Sequence, residues 1–121
     1  MDTVKDKKIW IIGASIGAAL AGELDRRGAK LILSARRNEE LEKISRRLSV
    51  SSAVAPLDVS DARAVHEAAL AHGPFDSVIF LAAIYNPGLL ENINLEDAHH
   101  MIYINIGGAL NTIDSVYPAM R

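Results

Sequence analysis

Residues 9–21 read IWIIGASIGAALA, an apolar run followed at once by a glycine-bearing turn and an alanine-rich segment. The β-branched run predicts a buried strand, and the continuation predicts a helix over residues 16–27 that Gly28 ends. A helix N-terminus has unpaired N–H groups and the positive end of the helix dipole, and glycine lets a phosphate approach that backbone closely. The stretch therefore predicts a nucleotide-binding βα unit.

The composition predicts one globular domain over residues 1–121. Hydrophobic residues make up 50% of the chain, yet no run of about twenty apolar residues could cross a membrane. The formal net charge of -2 provides no basic field for nucleic acid. The absence of cysteine excludes disulfides, thiolate catalysis and zinc–cysteine sites, and the N-terminus lacks the apolar segment of a signal peptide. We expect a cytoplasmic protein.

Apolar runs alternate with amphipathic segments along the rest of the chain, which predicts βαβ units and a parallel sheet covered by helices on both faces. The further strands are expected at residues 31–33, 53–55 and 78–82, and the further helices at about 39–48, 61–72 and 95–117. Right-handed crossovers then give a Rossmann-like α/β fold with the strand order 3-2-1-4.

Polar residues at the predicted helix starts are natural N-caps, whose side chains accept hydrogen bonds from first-turn N–H groups. The candidates are Ser15, Asn38, Ser60 or Asp61, and Asn94. Gly73-Pro74 is expected to end the third helix and Pro118 the fourth, because proline disrupts the helical hydrogen-bond ladder. Residues 85–88 have the composition of a turn.

Several segments, taken together in their order and spacing, resemble the short-chain dehydrogenase/reductase family. They are Gly13-Ala14-Ser15, residues 16–21, 34–37, 57–59 and 78–84, and Asn105. The resemblance runs over essentially the whole chain but covers only the N-terminal half of that family. It implies that the glycine loop binds the cofactor pyrophosphate through Gly13, Ser15, Ile16 and Gly17. It also implies that Asp58 contacts the adenine and that Ala82 and Ala83 flank the ribose on the nicotinamide side.

The glycine loop departs from the family pattern Gly-x-x-x-Gly-x-Gly. Aligned through its helix, this chain is two residues shorter and lacks the middle glycine, which lets the backbone approach the diphosphate. Gly13 can still make the turn and Gly17 can still allow close helix–strand packing; a second alignment puts Ala19 at the third glycine. Two interpretations stay open. The segment is either a nucleotide-binding loop with less backbone around the diphosphate, or a tight turn that binds no ligand.

The end of strand four departs from the family as well. The family has Asn-Asn-Ala-Gly where this chain has Phe80-Leu81-Ala82-Ala83. Phenylalanine and leucine side chains pack but cannot hydrogen-bond, so residues 80 and 81 are expected in the core.

The charged candidates each have two interpretations. Arg36 and Arg37 lie about twenty residues past the glycine loop, where arginine accepts the 2′-phosphate of NADP, but they are also typical of a solvated surface. Asp58 is either the adenine contact or a helix cap together with Ser60, and Ser15 is either a phosphate contact or an N-cap. His99 and His100 are adjacent on a helix and cannot form a metal pair, and no metal site is expected.

Catalysis by this chain alone is not expected. The family's Ser and Tyr-x-x-x-Lys lie beyond the helix that carries Asn105, and they do not occur here; Tyr117 and Arg121 imitate the spacing, but Pro118 lies between them. By resemblance, Asn105 is the candidate catalytic residue, since the family asparagine organises a proton-relay water. The parent protein is then expected to transfer hydride between NADP(H) and a carbonyl or alcohol substrate.

A second function class is a non-catalytic interaction module, and a third interpretation is an incomplete fragment. The predicted strand four lies at an apolar sheet edge, and such edges pair with other chains. The helix at 95–117 also carries an apolar stripe, comprising Ile102, Ile106, Leu110 and Ile113. We expect a homo-oligomer that uses one of these surfaces.

Overall fold

The structure, a computed structural model, describes residues 3–49, 52–84 and 88–120. Residues 85–87 of the turn predicted at 85–88 lie outside these residues, as do the side chains of residues 14–16. The elements run in the order β1 (Lys8–Ile12), α1 (Ala14–Arg26), β2 (Lys30–Ser34), α2 (Asn38–Ser45), β3 (Ala53–Val54), α3 (Ala62–His72), β4 (Ser77–Phe80), a short 3-10 helix (Leu90–Asn92), α4 (Leu95–Ile102), a π-turn (Tyr103–Gly107) and α5 (Gly108–Met120).

The four strands form one parallel sheet in the order β3-β2-β1-β4, which confirms the predicted topology. Trp10 of the central strand pairs with Ile32 on one side and with Val78 on the other. Strand order reverses between β1 and β4, and in open α/β sheets ligands bind at the carboxyl ends of the strands beside such a reversal.

Alternate side chains of the central strands fill two cores, one on each face of the sheet. Ile9 and Ile11 pack on the face that α1 and α2 cover, while Trp10 and Ile12 pack on the opposite face with residues of α3 and α5. Trp10 is fully buried; its ring stacks on Phe75 at a centroid distance of 4.9 Å, and its indole N–H donates to Ser34 Oγ at 2.8 Å. Burial on both faces explains why the strand runs are continuously apolar.

Helix starts differ from the sequence predictions at two places, and at a third the structure decides between the two predicted caps. Helix α1 begins at Ala14 with Gly13 as its N-cap, so Ser15 is not the cap; a positive φ at Gly13 lets the chain pass directly from strand to helix. Arg37, whose backbone is extended, rather than Asn38 precedes α2, and the Asn38 amide donates to Glu42 Oε1 from within the helix. Asp61 caps α3 by accepting from the Ala64 N–H at 3.2 Å.

The last helical region also differs in part. Asn94 caps α4 as predicted, accepting from the backbone N–H groups of Glu96 and Asp97. The predicted break at Pro118 is wrong, since α5 continues through it to Met120. The φ that the proline ring imposes is close to the helical value, and Pro118 lies in the last turn of α5, where few hydrogen bonds follow it. Among the described residues, no helix combines the length and apolarity that crossing a membrane requires.

Candidate functional site

The four strands end at one edge of the sheet, and the predicted site residues follow these ends. Gly13 follows β1, Arg36 follows β2, Asp58 follows β3 and Ala82 follows β4. This edge holds a cavity of about 330 Å³. Its lining residues are Ile12, Gly13, Ala35, Arg36, Arg37, Glu40, Leu57, Val59, Leu81, Ala82, Ala83, Ile84 and Ile104.

The cavity brings together part of the predicted site. The predicted residues that line it are Gly13, Arg36, Arg37, Ala82 and Ala83. Asp58 lies between two lining residues, and Asn105 follows one directly. A larger cavity of about 470 Å³ lies beside residues 88–94 and α4, away from the strand ends. Position at the strand ends, rather than volume, makes the smaller cavity the candidate ligand site.

The floor of the cavity is backbone from three strands in close contact. A Cβ atom at Gly13 would lie 2.8 Å from both Ala82 N and the Leu81 carbonyl carbon, so no other residue fits there without a shift. Gly13 N–H donates to the Ser34 carbonyl at 2.8 Å, and Leu81 N–H donates to the Ile12 carbonyl at 2.7 Å. The ends of β1, β2 and β4 are thus held together around Gly13.

Helix α1 starts at the cavity and packs tightly against the sheet. A Cβ atom at Gly17 would lie 2.9 Å from Ile11 Cγ2, so this glycine allows α1 to approach β1 and faces the sheet rather than the cavity. Ser15 and Ile16 belong to the first helical turn, and their side chains lie outside the described part of the chain. Helix geometry leaves the N–H groups of such a first turn without intrahelical partners, which makes it suited to an anion.

One wall of the cavity carries charge. Arg36 and Arg37 line it together with Glu40, which the sequence analysis missed. Arg37 Nη1 lies 3.9 Å from Glu40 Oε1, and the two side chains are 78% and 52% exposed, so the pair contributes little to stability. The first turn of α2 carries both Glu39 and Glu40, and no sequence signal distinguishes the one that lines the cavity.

Asp58 forms a local turn rather than a helix cap. Its Oδ1 accepts from Ser60 N–H at 3.0 Å and from Ser60 Oγ–H at 2.7 Å, while Asp61 caps α3. Partial burial raises the pKa of Asp58, but the two hydrogen bonds from Ser60 and the positive charges of Arg36 and His100 outweigh it and lower this pKa below its ordinary value. Asp58 therefore offers an ionised acceptor beside the cavity at neutral pH.

Asn105 holds the opposite wall. It lies in the π-turn, and its amide makes two hydrogen bonds of 2.8 Å to one residue, donating to the Ile84 carbonyl and accepting from the Ile84 N–H. The oxygen and the nitrogen of its amide are thus both hydrogen-bonded to the backbone that follows β4. The proposed link to a proton relay stays a prediction, whereas the contact with a cavity-lining residue gives Asn105 a positioning role.

A second asparagine, Asn111, was missed by the sequence analysis. Its Nδ2 donates to the Val59 carbonyl at 2.9 Å, next to Asp58. Helix α5 approaches closely here, since a Cβ atom at Gly108 would lie 2.6 Å from Val59 Cγ2. The partner of this amide could not be predicted, because Val59 is 52 residues away in the chain.

His99 and His100 are both exposed on α4. In the part of the chain that the structure describes, no three His, Cys, Asp or Glu side chains gather closely enough to hold a metal ion. His99 and His100 lie on α4 with Tyr103, and the His99 and Tyr103 rings are 6.5 Å apart.

Comparison with known proteins gives consistent matches. A family model described as short chain dehydrogenase matches residues 7–121. An uncharacterized oxidoreductase of Listeria innocua is 38% identical over 126 aligned residues, which cover 97% of this chain and 51% of that protein. Serine dehydrogenase from Escherichia coli is similar in structure, with a TM-score of 0.85, 26% identity, and coverage of 93% of this chain and 56% of that one.

A further solved structure shares the fold. The gluconate 5-dehydrogenase from Burkholderia cenocepacia, solved with NADP and tartrate, has a TM-score of 0.81 and 24% identity, covering 96% of this chain and 49% of that one. The chain therefore spans about half the length of these relatives.

Proposed function

The chain belongs to the short-chain dehydrogenase family, and from that premise we propose that it is the cofactor-binding half of an oxidoreductase that transfers hydride between NADP(H) and a carbonyl or alcohol substrate. The observation that carries the proposal is the cavity at the carboxyl ends of the strands, which Gly13 at the start of α1 lines together with Arg36 and Arg37.

The residues of the cavity fit a dinucleotide. Leu57 and Val59 offer apolar contact to an adenine, and Asp58 offers an acceptor for its amino group. The start of α1 favours the diphosphate, since the first-turn N–H groups and the helix dipole both attract an anion. Arg36 and Arg37 offer planar donors to a 2′-phosphate.

The nicotinamide, when bound, supplies the hydride or accepts it. The residues of this chain bind and orient the cofactor, and Asn105 keeps the cavity wall at Ile84 in place. The proton at the substrate oxygen would be moved by the family's Ser and Tyr-x-x-x-Lys, contributed by the rest of a longer protein.

Replacing Arg36 by alanine is expected to weaken NADPH binding about tenfold, because one charge-assisted contact with the 2′-phosphate contributes roughly 1.4 kcal/mol or more. NADH affinity should change little. The measurement is quenching of the single tryptophan, Trp10, by each nucleotide. Arg26→Ala is the matched control, since Arg26 is an exposed arginine at the far end of α1. Failure of the unmodified protein to bind either nucleotide at millimolar concentration would reject the proposed function.

We also propose that the protein self-associates, as a binding module would. The stripe of Ile102, Ile106, Leu110 and Ile113 is at least half exposed at every position. A second copy presents the same ridge, so two such stripes can pack about a twofold axis. The outer edge of β4, which has no strand partner within the described chain, is the other candidate surface.

Leu110→Lys is expected to shift the protein toward monomer, because a lysine ammonium would be desolvated in the middle of the packed stripe. Sedimentation velocity over a range of concentrations measures the change. Leu70→Lys is the control, since Leu70 is 72% exposed on α3 and lies outside the stripe. Unmodified protein that sediments as a monomer at every concentration would count against self-association.

A further inference from the structure

The cavity wall that would receive a 2′-phosphate is not uniformly basic. Arg36 and Arg37 contribute two positive charges, and Glu40 lies on the same wall. Glu40 therefore offsets part of the positive charge of the two arginines, which alone would indicate a strong preference for a phosphorylated ribose.

We propose that Glu40 opposes the 2′-phosphate of NADP(H) and so weakens the preference for NADP(H) over NAD(H) that Arg36 and Arg37 would otherwise give this site. This inference rests on the proposed function.

The structure also indicates that Glu40 weakens NADP(H) binding rather than strengthening it. If Glu40 acted by holding Arg37 in place for the phosphate, a close and shielded ion pair would be expected. The observed pair is separated by 3.9 Å and both side chains are mostly exposed, so Glu40 restrains Arg37 weakly. The repulsion between the Glu40 carboxylate and a phosphate on the same wall does not depend on that restraint.

The test is a pair of charge-neutralising substitutions in one helical turn. Glu40→Gln removes the carboxylate from the cavity wall, and Glu39→Gln removes one that belongs to the same first turn of α2 but does not line the cavity. Both changes affect net charge and the helix dipole equally. Both residues are exposed, so both variants should fold, which circular dichroism checks.

Titration of each protein with NADPH and with NADH gives the ratio of the two dissociation constants. We expect Glu40→Gln to tighten NADPH binding about fivefold relative to NADH at low salt, with the gain shrinking as salt rises. Glu39→Gln should leave the ratio unchanged.

Three other outcomes would overturn the inference. Weaker NADPH binding by Glu40→Gln would mean that Glu40 positions Arg37, and an equal shift of both nucleotides or an equal effect of Glu39→Gln would mean that only overall charge matters. Absence of binding by the unmodified protein would instead reject the cofactor role itself, so the two failures are distinguishable.

Discussion

Gly13→Ala is expected to lower the free energy of unfolding by about 3 kcal/mol or more, because it adds backbone strain to a steric overlap. Gly13 has φ 123° and ψ 112°, a conformation that L side chains rarely adopt. The new methyl group would also meet backbone atoms of Leu81 and Ala82 at 2.8 Å, and the hydrogen bond from Leu81 N–H to the Ile12 carbonyl restrains this backbone. Urea unfolding followed by Trp10 fluorescence measures the loss.

Gly22→Ala is the matched control for this substitution. Gly22 lies within α1, and a Cβ atom there would have no neighbour within 4 Å. Alanine should therefore raise the stability by up to about 1 kcal/mol through its helix propensity. Equal effects of the two substitutions, or a Gly13→Ala protein as stable as the parent, would contradict the close approach of β1 and β4 at the cavity floor.

Asn105→Leu is expected to cost about 3 kcal/mol of stability, because both the N–H and the carbonyl of Ile84 lose their partner in a partly buried position. Ile84 lines the cavity, so nucleotide affinity should fall as well. Urea unfolding gives the first quantity, and NADPH titration under conditions where the variant remains folded gives the second.

Asn38→Leu provides the same chemical change at an exposed position. The Asn38 amide donates to Glu42 on the surface of α2, and its loss should change the stability by less than about 0.5 kcal/mol. If Asn105→Leu were as mild as this control, the double hydrogen bond to Ile84 would not be holding the wall. Stability loss with unchanged nucleotide affinity would confine Asn105 to a role in folding.

The architecture could be predicted because its signals are local. The apolar run of β1, the glycine after it and the alternation of apolar and amphipathic segments are each readable within a few residues, and chain connectivity then leaves few possible sheets. The same holds for the Asn94 cap, where acceptor and donors lie within three residues of each other. The predicted strand order of 3-2-1-4 is therefore correct.

Other features could not be predicted because they depend on partners distant in sequence. The start of α1 at Ala14 follows from the conformation of Gly13, which a contact with the end of β4 restricts. The double hydrogen bond between Asn105 and Ile84 spans 21 residues. Where two neighbouring residues could both cap a helix, the sequence did not indicate which one would. Asp61 rather than Ser60 caps α3, for example.

The candidate site was predicted in outline only. The strand ends gave the positions of Gly13, Arg36 and Ala82, because parallel strands all finish on one side of the sheet. The position of Glu40 on the cavity wall could not be predicted, because an acidic residue on a helix has the same sequence pattern whether it faces a cavity or solvent. Only the path of α2 relative to the end of β2 distinguishes the two cases.

The π-turn between α4 and α5 has a consequence for insertions and deletions. A turn of this kind holds one residue more than an α-turn, and successive residues of an α-helix are about 100° apart around its axis. Removing a single residue from Tyr103–Gly107 would therefore rotate α4 by roughly a quarter of a revolution relative to α5. The rotation of α4 about its axis relative to α5 therefore depends on the number of residues in this five-residue turn more than on the identity of any one of them.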